Sequence, residues 1–270
     1  MSVRQRAEDF RALHNDSESF LIANPWDLGS AKLLEGVGFP ALATTSGGFA
    51  WSQGAVDGQV TLNQTLEHCR SLVEATTVPV SADLGYGYGE SPTDVYQCVE
   101  SAAATGLAGC SIEDANVTKG LLFEKDLAVE RIQAAMDVVR QLDREFVFTA
   151  RSDGFAYGGT DLADTLERLV AFADAGADVI YAPGVTDLGM IRELVAATDK
   201  SVNVLIGFRG MDLGFEELRD AGVKRISVGT QPAKIAYGAL LQSAEELLAR
   251  GRIVATDVPV RSSSIAKFFV

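Results

Sequence analysis

Residues 101–113 read SAAATGLAGCSIE, a helical pattern that stops at Gly106, followed by an apolar strand-like run that ends on Glu113. A glycine in this position is typical of the left-handed residue that terminates a helix before the next element. The same junction recurs at Gly176 and Gly222, each time between an amphipathic stretch and a short apolar run. These junctions predict a chain in which helices alternate with parallel strands.

Outward from this junction, the alternation continues from Phe20 to about Gly251. The predicted strands are 20–24, 41–45, 78–83, 109–113, 146–151, 178–182, 202–206 and 225–229. The predicted helices are 61–75, 92–105, 125–142, 161–175, 187–197, 215–221 and 233–250. Eight strand-helix units in roughly 250 residues predict an α/β fold of the (β/α)8 TIM-barrel class, a single domain over residues 1–251. An open doubly wound sheet is the alternative, but residues 25–29 after the first strand are not its Gly-rich loop.

The composition excludes several classes of protein. The 270 residues include 37 Asp and Glu against 23 Lys and Arg, a formal charge of −14, and no basic cluster that would hold nucleic-acid phosphates. No apolar run is long enough to span a membrane, and the charged stretch 1–10 is not a secretory signal. Cys69, Cys98 and Cys110 form no CxxC pair, which indicates buried thiols in a reducing cytoplasm. We therefore expect a cytoplasmic protein with a small anionic carboxylate substrate, and neither nucleic acid nor membrane as a partner.

The tail, residues 252–270, has a different character. Its last six residues, from Ile265, are mostly apolar and would be poorly placed in water. We expect this tail to pack on its own barrel or on a neighbouring subunit, and the sequence leaves both open.

Polar residues at the C-terminal ends of the predicted strands are the candidates for a site, because (β/α)8 barrels build their active sites there. Asp57, Asp83 and Glu113 would converge at this end, with Asp114 beside them. Several close carboxylates favour a bound cation, and oxygen ligands without His or Cys indicate Mg²⁺ or Mn²⁺ rather than Zn²⁺. The alternative is that these acids cap helices or pair with Arg151.

Two further features at strand ends point to anion binding. Ser46-Gly47-Gly48 would expose consecutive backbone N–H groups to a carboxylate or enolate oxygen, or would be no more than a flexible turn. Arg151 offers a planar fork for a substrate carboxylate, and its alternative is a structural ion pair with Asp153 or Glu113.

The two histidines do not indicate a catalytic role. His14 precedes the first strand and His68 lies inside a predicted helix, so no Ser-His-Asp or Cys-His arrangement can be argued.

Five motifs follow one another along the chain: Ser46-Gly47-Gly48, Asp57, SADLGYG at 81–87, IED at 112–114 and ARSD at 150–153. In this order they resemble the motifs of the isocitrate lyase/phosphoenolpyruvate mutase superfamily. The resemblance extends from about Phe20 to Gly251. It implies a barrel whose eighth helix is exchanged between subunits, with dimers that usually pair into tetramers. It also implies a Mg²⁺ site and chemistry on 2-oxo or 2-hydroxy carboxylates through an enolpyruvate-like intermediate.

The resemblance assigns roles to individual residues. Those that match the superfamily's substrate-binding turn are Ser46, Gly47 and Gly48, and those that match its metal acids are Asp57, Asp83 and Glu113. Arg151 matches the substrate-binding arginine, and Lys119 falls where the superfamily has a lysine on its mobile active-site loop. Metal-bound water, Lys119 and Tyr86 are the candidate proton donors, and Arg209 is a further cation for an anionic substrate.

Three positions differ from the superfamily's pattern. The loop reads KGLLF at 119–123, which lacks both the Lys-Arg-Cys-Gly-His of isocitrate and methylisocitrate lyases and the Lys-Thr-Asn type of the mutases. The glutamate after strand six is missing from YAPG at 181–184, and Ser81 replaces the first acid of the Asp-x-Asp motif.

These differences narrow the expected function. We expect a Mg²⁺-dependent lyase that cleaves a C–C bond in a small 2-oxo or 2-hydroxy dicarboxylate, or decarboxylates it, and not a standard isocitrate or methylisocitrate lyase. The alternatives are a phosphonopyruvate-type mutase or hydrolase and a carboxylate-binding barrel without turnover.

Overall fold

The protein is described by a computed structural model that covers residues 1–116, 118–208, 211–252 and 261–269. Eight parallel strands form its centre. These are β1 Phe20–Ile22, β2 Leu42–Ala43, β3 Val80–Asp83, β4 Gly109–Glu113, β7 Val147–Arg151, β8 Val179–Tyr181, β9 Ser201–Leu205 and β10 Arg225–Ser227. Two short strands, β5 Ala115–Asn116 and β6 Leu121–Leu122, form a separate antiparallel hairpin.

The eight strands pair in the order β1-β10-β9-β8-β7-β4-β3-β2, and every pair is parallel. A bridge between Ala23 and Leu42 joins the two ends of this order. The sheet is therefore closed into a barrel, and the predicted (β/α)8 class is confirmed, as are all eight strands.

Eleven helices occur within the described residues. They are α1 Val3–Asn15, α2 Leu28–Val37, α3 Ser46–Ser52, α4 Leu62–Ala75, α5 Pro92–Ala103, α6 Lys125–Gln141, α7 Leu162–Asp174, α8 Leu188–Ala196, α9 Phe215–Asp220, α10 Gln231–Arg250 and α11 Ser262–Ala266. The predicted glycine terminators Gly106, Gly176 and Gly222 all adopt positive φ just beyond a helix.

The sequence analysis missed α1, α2, α3 and the five-residue α11. Helix α2 carries a recognisable start, because Asp27 accepts from the backbone N–H of Ser30 at 2.7 Å and the Ser30 hydroxyl reaches back to the cap. The apolar positions of these helices are too few or too broken by glycine to be found by periodicity.

Helix α1 lies across the N-terminal end of the barrel. Phe10 is fully buried in a cluster with Phe20, Val147 and Val179, which come from three different strands or their edges. Arg11 fixes the helix by ion pairs to Asp178 at 2.6 Å and to Glu145 at 2.9 Å. His14 packs edge-on between Phe10 and Phe20, at the opposite end of the barrel from the predicted site.

The main core lies between the barrel and its surrounding helices. Cys69, Cys98 and Cys110 are free thiols buried in this core, as predicted. Gly109 has no space for a side chain, because a Cβ there would collide with the carbonyl oxygen of Val147 on the neighbouring strand. Close strand approach therefore requires glycine at the start of β4.

The C-terminal segment is described only in part, since residues 253–260 and 270 lie outside the described ranges. In the described portion, the Phe268 ring contacts α2 at Gly36. Within the described residues, no helix combines the length and apolarity needed to cross a membrane.

Candidate active site

A cavity of about 290 Å³ lies at the C-terminal ends of the barrel strands. The three acids predicted from the sequence as metal ligands, Asp57, Asp83 and Glu113, line it together with Arg151 and Ser46. Side chains that point inward from the ends of strands in a closed barrel face a common centre, which brings these distant residues together.

Arg151 ends β7, and its guanidinium contacts three carboxylates. Nη1 lies 3.1 Å from Oδ1 of Asp83, and Nη2 lies 3.0 Å from Oε1 of Glu113. Asp153 accepts from Nε at 3.2 Å and from Nη2 at 2.8 Å, so this pair is bidentate. The ring of Tyr181 lies 5.0 Å from the guanidinium carbon. The ion pairs kept as an alternative for Arg151 are therefore present, and they fix its orientation.

Asp153 is itself held by Asp114. The backbone N–H of Asp153 donates to Oδ1 of Asp114 at 2.8 Å, and the Ser152 hydroxyl donates to Oδ2 at 3.1 Å. Arg168, from α7, pairs with the same carboxylate at 3.4 Å. Asp114 is 1% exposed and does not line the cavity, so it supports Arg151 through Asp153 instead of facing a ligand.

The SGG stretch after β2 forms the first turn of α3 and not a flexible turn. The backbone N–H of Ser46 donates to Oδ2 of Asp83 at 3.2 Å, and its hydroxyl donates to Oδ2 of Asp57 at 3.4 Å. A Cβ on Gly47 would lie 3.2 Å from the same Asp57 oxygen, so glycine leaves room for that carboxylate. Ser46 reaches the cavity wall, whereas Gly47 and Gly48 lie behind it.

We call Asp57, Asp83, Glu113, Arg151 and Asp153 the mouth of the cavity, and this cluster carries excess negative charge. Burial, reinforced by Asp83, raises the pKa of Asp57. Burial raises the pKa of Glu113 well above its usual value although Arg151 opposes this, and the pKa of Asp153 shifts in the same direction for the same reasons. Burial alone would lower the pKa of Arg151, but its carboxylate neighbours raise it by more, so the guanidinium stays charged. One cation against four carboxylates favours a further cation.

The donor set at the mouth fits a hard divalent cation, because carboxylate and hydroxyl oxygens are the ligands that Mg²⁺ and Mn²⁺ prefer. Across the described part of the chain, no three acidic, histidine or cysteine side chains form a complete set of direct ligands. A cation here would therefore contact few carboxylates directly and would keep several water ligands, as Mg²⁺ commonly does. Ser81, in the place of the missing acid, also lines the cavity.

The other predicted residues are placed differently. Tyr86 lines the cavity. Lys119 lies on the turn of the β5–β6 hairpin with 63% of its side chain exposed, and its Nζ is 2.5 Å from Oε1 of Glu90. It is not part of the cavity wall. Arg209 lies outside the described residues.

Arg131 connects the loop that carries Tyr86 with the hairpin that carries Lys119. Its guanidinium donates to the backbone carbonyl of Glu90 at 2.7 Å and to that of Tyr86. The guanidinium carbon lies 4.2 Å from the ring centre of Phe123, directly after the hairpin. Arg131 thus holds both segments against α6.

The sequence analysis missed many residues of the cavity wall, among them His68, Asn203 and Arg225. His68 stacks on Phe49 at 3.9 Å, and burial lowers its pKa to about 4, so its imidazole is neutral. Asn203 and Arg225 line the deeper part of the cavity. An arginine that opens an apolar strand was the available signal for Arg225, whereas the position of His68 inside a helix gave none.

Comparisons with known proteins agree with this geometry. Residues 10–248 match the family model for phosphoenolpyruvate phosphomutase. The chain is 31% identical to 2-methylisocitrate lyase of Escherichia coli (strain K12) over 83% of this chain and 78% of that protein. It is 28% identical to oxaloacetate decarboxylase of Rhodopseudomonas palustris (strain ATCC BAA-98 / CGA009), over 90% of this chain and 85% of that protein.

A solved structure from Burkholderia cenocepacia J2315, provisionally assigned as a lyase or mutase, is similar with a TM-score of 0.95 and 44% identity. It covers 99% of this chain, and the match covers 96% of that chain. The resemblance seen in the motifs is thereby confirmed along nearly the whole chain. The chain belongs to the phosphoenolpyruvate phosphomutase family, within the isocitrate lyase/phosphoenolpyruvate mutase superfamily of lyases and mutases.

Proposed function

We propose that this protein is a divalent-metal-dependent lyase that cleaves a C–C bond in a small 2-oxo or 2-hydroxy dicarboxylate, or decarboxylates it. The observation that carries the proposal is the convergence of Arg151, Asp57, Asp83, Glu113 and Ser46 on one cavity. A cavity of about 290 Å³ is at the small end of ligand pockets and suits a compact anion. The two curated relatives, a methylisocitrate lyase and an oxaloacetate decarboxylase, support C–C chemistry.

The cation would be held by Asp57, Asp83 and Glu113, partly through its water ligands, and Mg²⁺ or Mn²⁺ there would supply positive charge for an enolate oxygen. Arg151 holds a substrate carboxylate. Three of its five N–H groups donate hydrogen bonds, two to Asp153 and one to Asp83, and Nη2 also forms an ion pair with Glu113. Because four carboxylate contacts fix the guanidinium, it needs little reorganisation when substrate binds.

Protonation of the enolate carbon requires an acid. Tyr86 is the better placed of the two side-chain candidates, because it lines the cavity while Lys119 is paired with Glu90 outside it. The three thiols of the chain lie in the core and away from the cavity wall. The cysteine that isocitrate and methylisocitrate lyases carry on this loop therefore has no replacement among the described residues, and this favours a different substrate.

The test is ¹H NMR of the protein with oxaloacetate, 2-methylisocitrate, isocitrate, dimethylmalate and phosphonopyruvate, each with Mg²⁺ and with EDTA. The Arg151→Ala protein is the matched control, because it corrects for the metal-accelerated decay of oxaloacetate in solution. A 2-oxo acid formed only by the wild-type protein with metal supports the proposal, and the accepted substrate identifies the reaction.

Two other outcomes would contradict this function. Conversion of phosphonopyruvate alone would identify a mutase or hydrolase of P–C bonds. Binding of several carboxylates without any turnover would identify a carboxylate-binding barrel.

We further propose that the protein is a homo-oligomer, a dimer or tetramer, built through α10. In the range 231–250 only Ala233 is buried, while Ile235, Leu240, Leu241 and Leu248 are 60–89% exposed. So much apolar surface on one helix is typical of an interface, and the exchanged eighth helix of the superfamily makes a second copy of this chain the expected partner.

Sedimentation velocity tests the oligomer. Leu248→Glu is expected to convert dimers or tetramers to smaller species, because the glutamate would be buried unpaired in the interface. Val37→Glu is the matched control, since Val37 is 69% exposed on α2. Sedimentation of the wild-type protein as a monomer would contradict the proposal.

A further inference from the structure

Arg225 lies deep in the barrel at the start of β10, with 6% of its surface exposed. Its Nε donates to Oδ1 of Asn203 at 2.8 Å, and its Nη2 donates to Oγ1 of Thr149 at 2.9 Å. Both acceptors are neutral, and no carboxylate among the described residues pairs with this guanidinium. Its charge is therefore buried without a counterion inside the protein.

Other buried arginines of this chain are different. Arg6 and Arg131 also donate to neutral carbonyl groups, but each has an acidic side chain near enough to favour its charge. For Arg225, burial lowers the pKa to about 10, with only Tyr181 in opposition. The guanidinium is still protonated at neutral pH, so a buried charge without an anion is retained at a free-energy cost.

The surroundings of Arg225 supply hydrogen-bond donors to an anion. Asn203 donates to Oγ of Ser227 at 3.1 Å, which leaves the Ser227 hydroxyl free to donate elsewhere. Ser81 and Ser111 line the same cavity. Each precedes an acid of the mouth by two residues, so its side chain points inward one pleat deeper. We call Arg225, Asn203, Ser227, Ser81 and Ser111 the cavity floor.

We propose that the cavity floor is an anion subsite, in which Arg225 receives one carboxylate of a dicarboxylate ligand whose other end lies at Arg151. This rests on the proposed function for the class of ligand, and it adds the residue that selects dicarboxylates over monocarboxylates. Arg151 is already surrounded by three carboxylates, whereas Arg225 faces the same cavity with none. With a cation held by the mouth acids, the first carboxylate would bind there beside Arg151, and a second carboxylate meets the unmatched positive charge of Arg225 at the floor.

The test compares succinate with butyrate, which has the same chain length but one carboxylate fewer, by isothermal titration calorimetry with Mg²⁺ at low salt. Neither compound needs to react, so the result does not depend on turnover. We expect wild-type protein to bind succinate about tenfold or more tightly than butyrate, since a charge-assisted pair supplies this difference. Arg225→Gln is expected to remove that preference and to leave butyrate affinity unchanged within about twofold.

Two variants serve as controls for folding and for charge. Arg6→Gln removes an equally buried arginine that lies away from the cavity, and it is expected to keep the succinate preference. Ser227→Asp places a carboxylate beside Arg225 within the protein. It is expected to abolish the preference while raising the melting temperature, a combination that a misfolded protein would not give.

An unchanged succinate preference in Arg225→Gln, or an equal loss of succinate and butyrate affinity, would overturn the subsite. If Arg225→Gln does not fold, retention of the preference in Ser227→Asp overturns it instead. If one of these results occurs while the NMR panel shows turnover, the anion subsite is refuted and the proposed reaction stands. Selective succinate binding without turnover would refute the proposed reaction and leave the subsite intact.

Discussion

The mouth and the floor of the cavity each contain a largely buried arginine, and the charges around the two are opposite. Arg151 at the mouth contacts Asp83, Glu113 and Asp153 within 3.2 Å. Arg225 at the floor contacts only neutral side chains. Both side chains point inward from barrel strands, so burial does not distinguish them. The neighbouring charges do: the mouth is an acidic site that favours a cation, and the floor is a basic site that favours an anion.

The largest expected effect is that of Arg151→Met. It leaves the buried carboxylates of Glu113 and Asp153 and the partly buried one of Asp83 without a counterion, and loss of one partner from a buried ion pair costs about 3–5 kcal/mol. Urea denaturation should show this decrease in the free energy of unfolding, and turnover should fall below detection. Arg151→Lys keeps the charge and is expected to recover much of the stability but not the bidentate contact to Asp153. A cost below about 1 kcal/mol for Arg151→Met would remove the distinction between mouth and floor.

The next largest effect is the pH dependence of stability that comes from Asp114, the carboxylate that holds Asp153 in place. Burial, followed by the charge of Asp153, raises the pKa of Asp114 to about 6. The folded state therefore holds a proton that the unfolded state releases, so stability from this group is present below its ordinary pKa and is lost as the pH rises through about 6. The free energy of unfolding should fall by about 2–3 kcal/mol from this group between pH 4 and pH 7.

Asp114→Asn should remove this part of the pH dependence in urea titrations at several pH values. Asp143→Asn is the matched control, because the Asp143 side chain is 92% exposed. If the free energy of unfolding depends on pH in the same way in wild-type and Asp114→Asn protein, the pKa of Asp114 does not differ between the folded and unfolded states.

A smaller effect is expected from cation binding at the mouth. Saturating Mg²⁺ or Mn²⁺ stabilises a protein that binds it only when folded, by about 2.7 kcal/mol at 100 times Kd. Glu113→Gln should lose about 1–2 kcal/mol of that gain, because a neutral amide binds divalent cations poorly. Thermal unfolding with metal and with EDTA measures this, with Glu67→Gln, 81% exposed, as control. An equal metal-induced shift in Glu113→Gln and wild-type protein would place the cation elsewhere.

The smallest effect is expected at the floor. Arg225→Met replaces an unpaired buried charge by an apolar side chain of similar length, and such replacements are often neutral or stabilising. We expect the free energy of unfolding to change by less than about 1 kcal/mol, or to increase. Urea denaturation beside Arg151→Met measures the contrast directly. A loss as large as that of Arg151→Met would mean that Arg225 is a structural residue of the barrel.

The barrel could be predicted because its signals are local. Apolar runs such as 109–113 and glycine terminators such as Gly106 are visible without knowledge of the tertiary structure, and all eight strands followed from them. Helix α1 could not be found in the same way, because its buried residues, including Arg6 and His14, do not look apolar. Their burial depends on strands far along the chain.

The site could be predicted only in part, for a similar reason. Asp83, Glu113 and Arg151 lie at strand ends, and closure of the barrel brings strand ends together. Lys119 lies on a hairpin whose position depends on Arg131 and Glu90, which no local pattern reveals. The role proposed for Arg225 depends on the lack of a carboxylate partner among the described residues, and only the folded arrangement shows this.

Helix α1 also has a consequence for biosynthesis. Its residues leave the ribosome well before several of its partners, because Phe10 packs against Val147 and Val179, and Arg11 pairs with Asp178. At roughly 5–20 residues per second, these partners are made about 7–33 s after the helix itself. Throughout that interval α1 lacks the part of its native surface that Val147 and Val179 supply. We therefore expect α1 to complete its docking, and to cover the N-terminal end of the barrel, late in the synthesis of the chain.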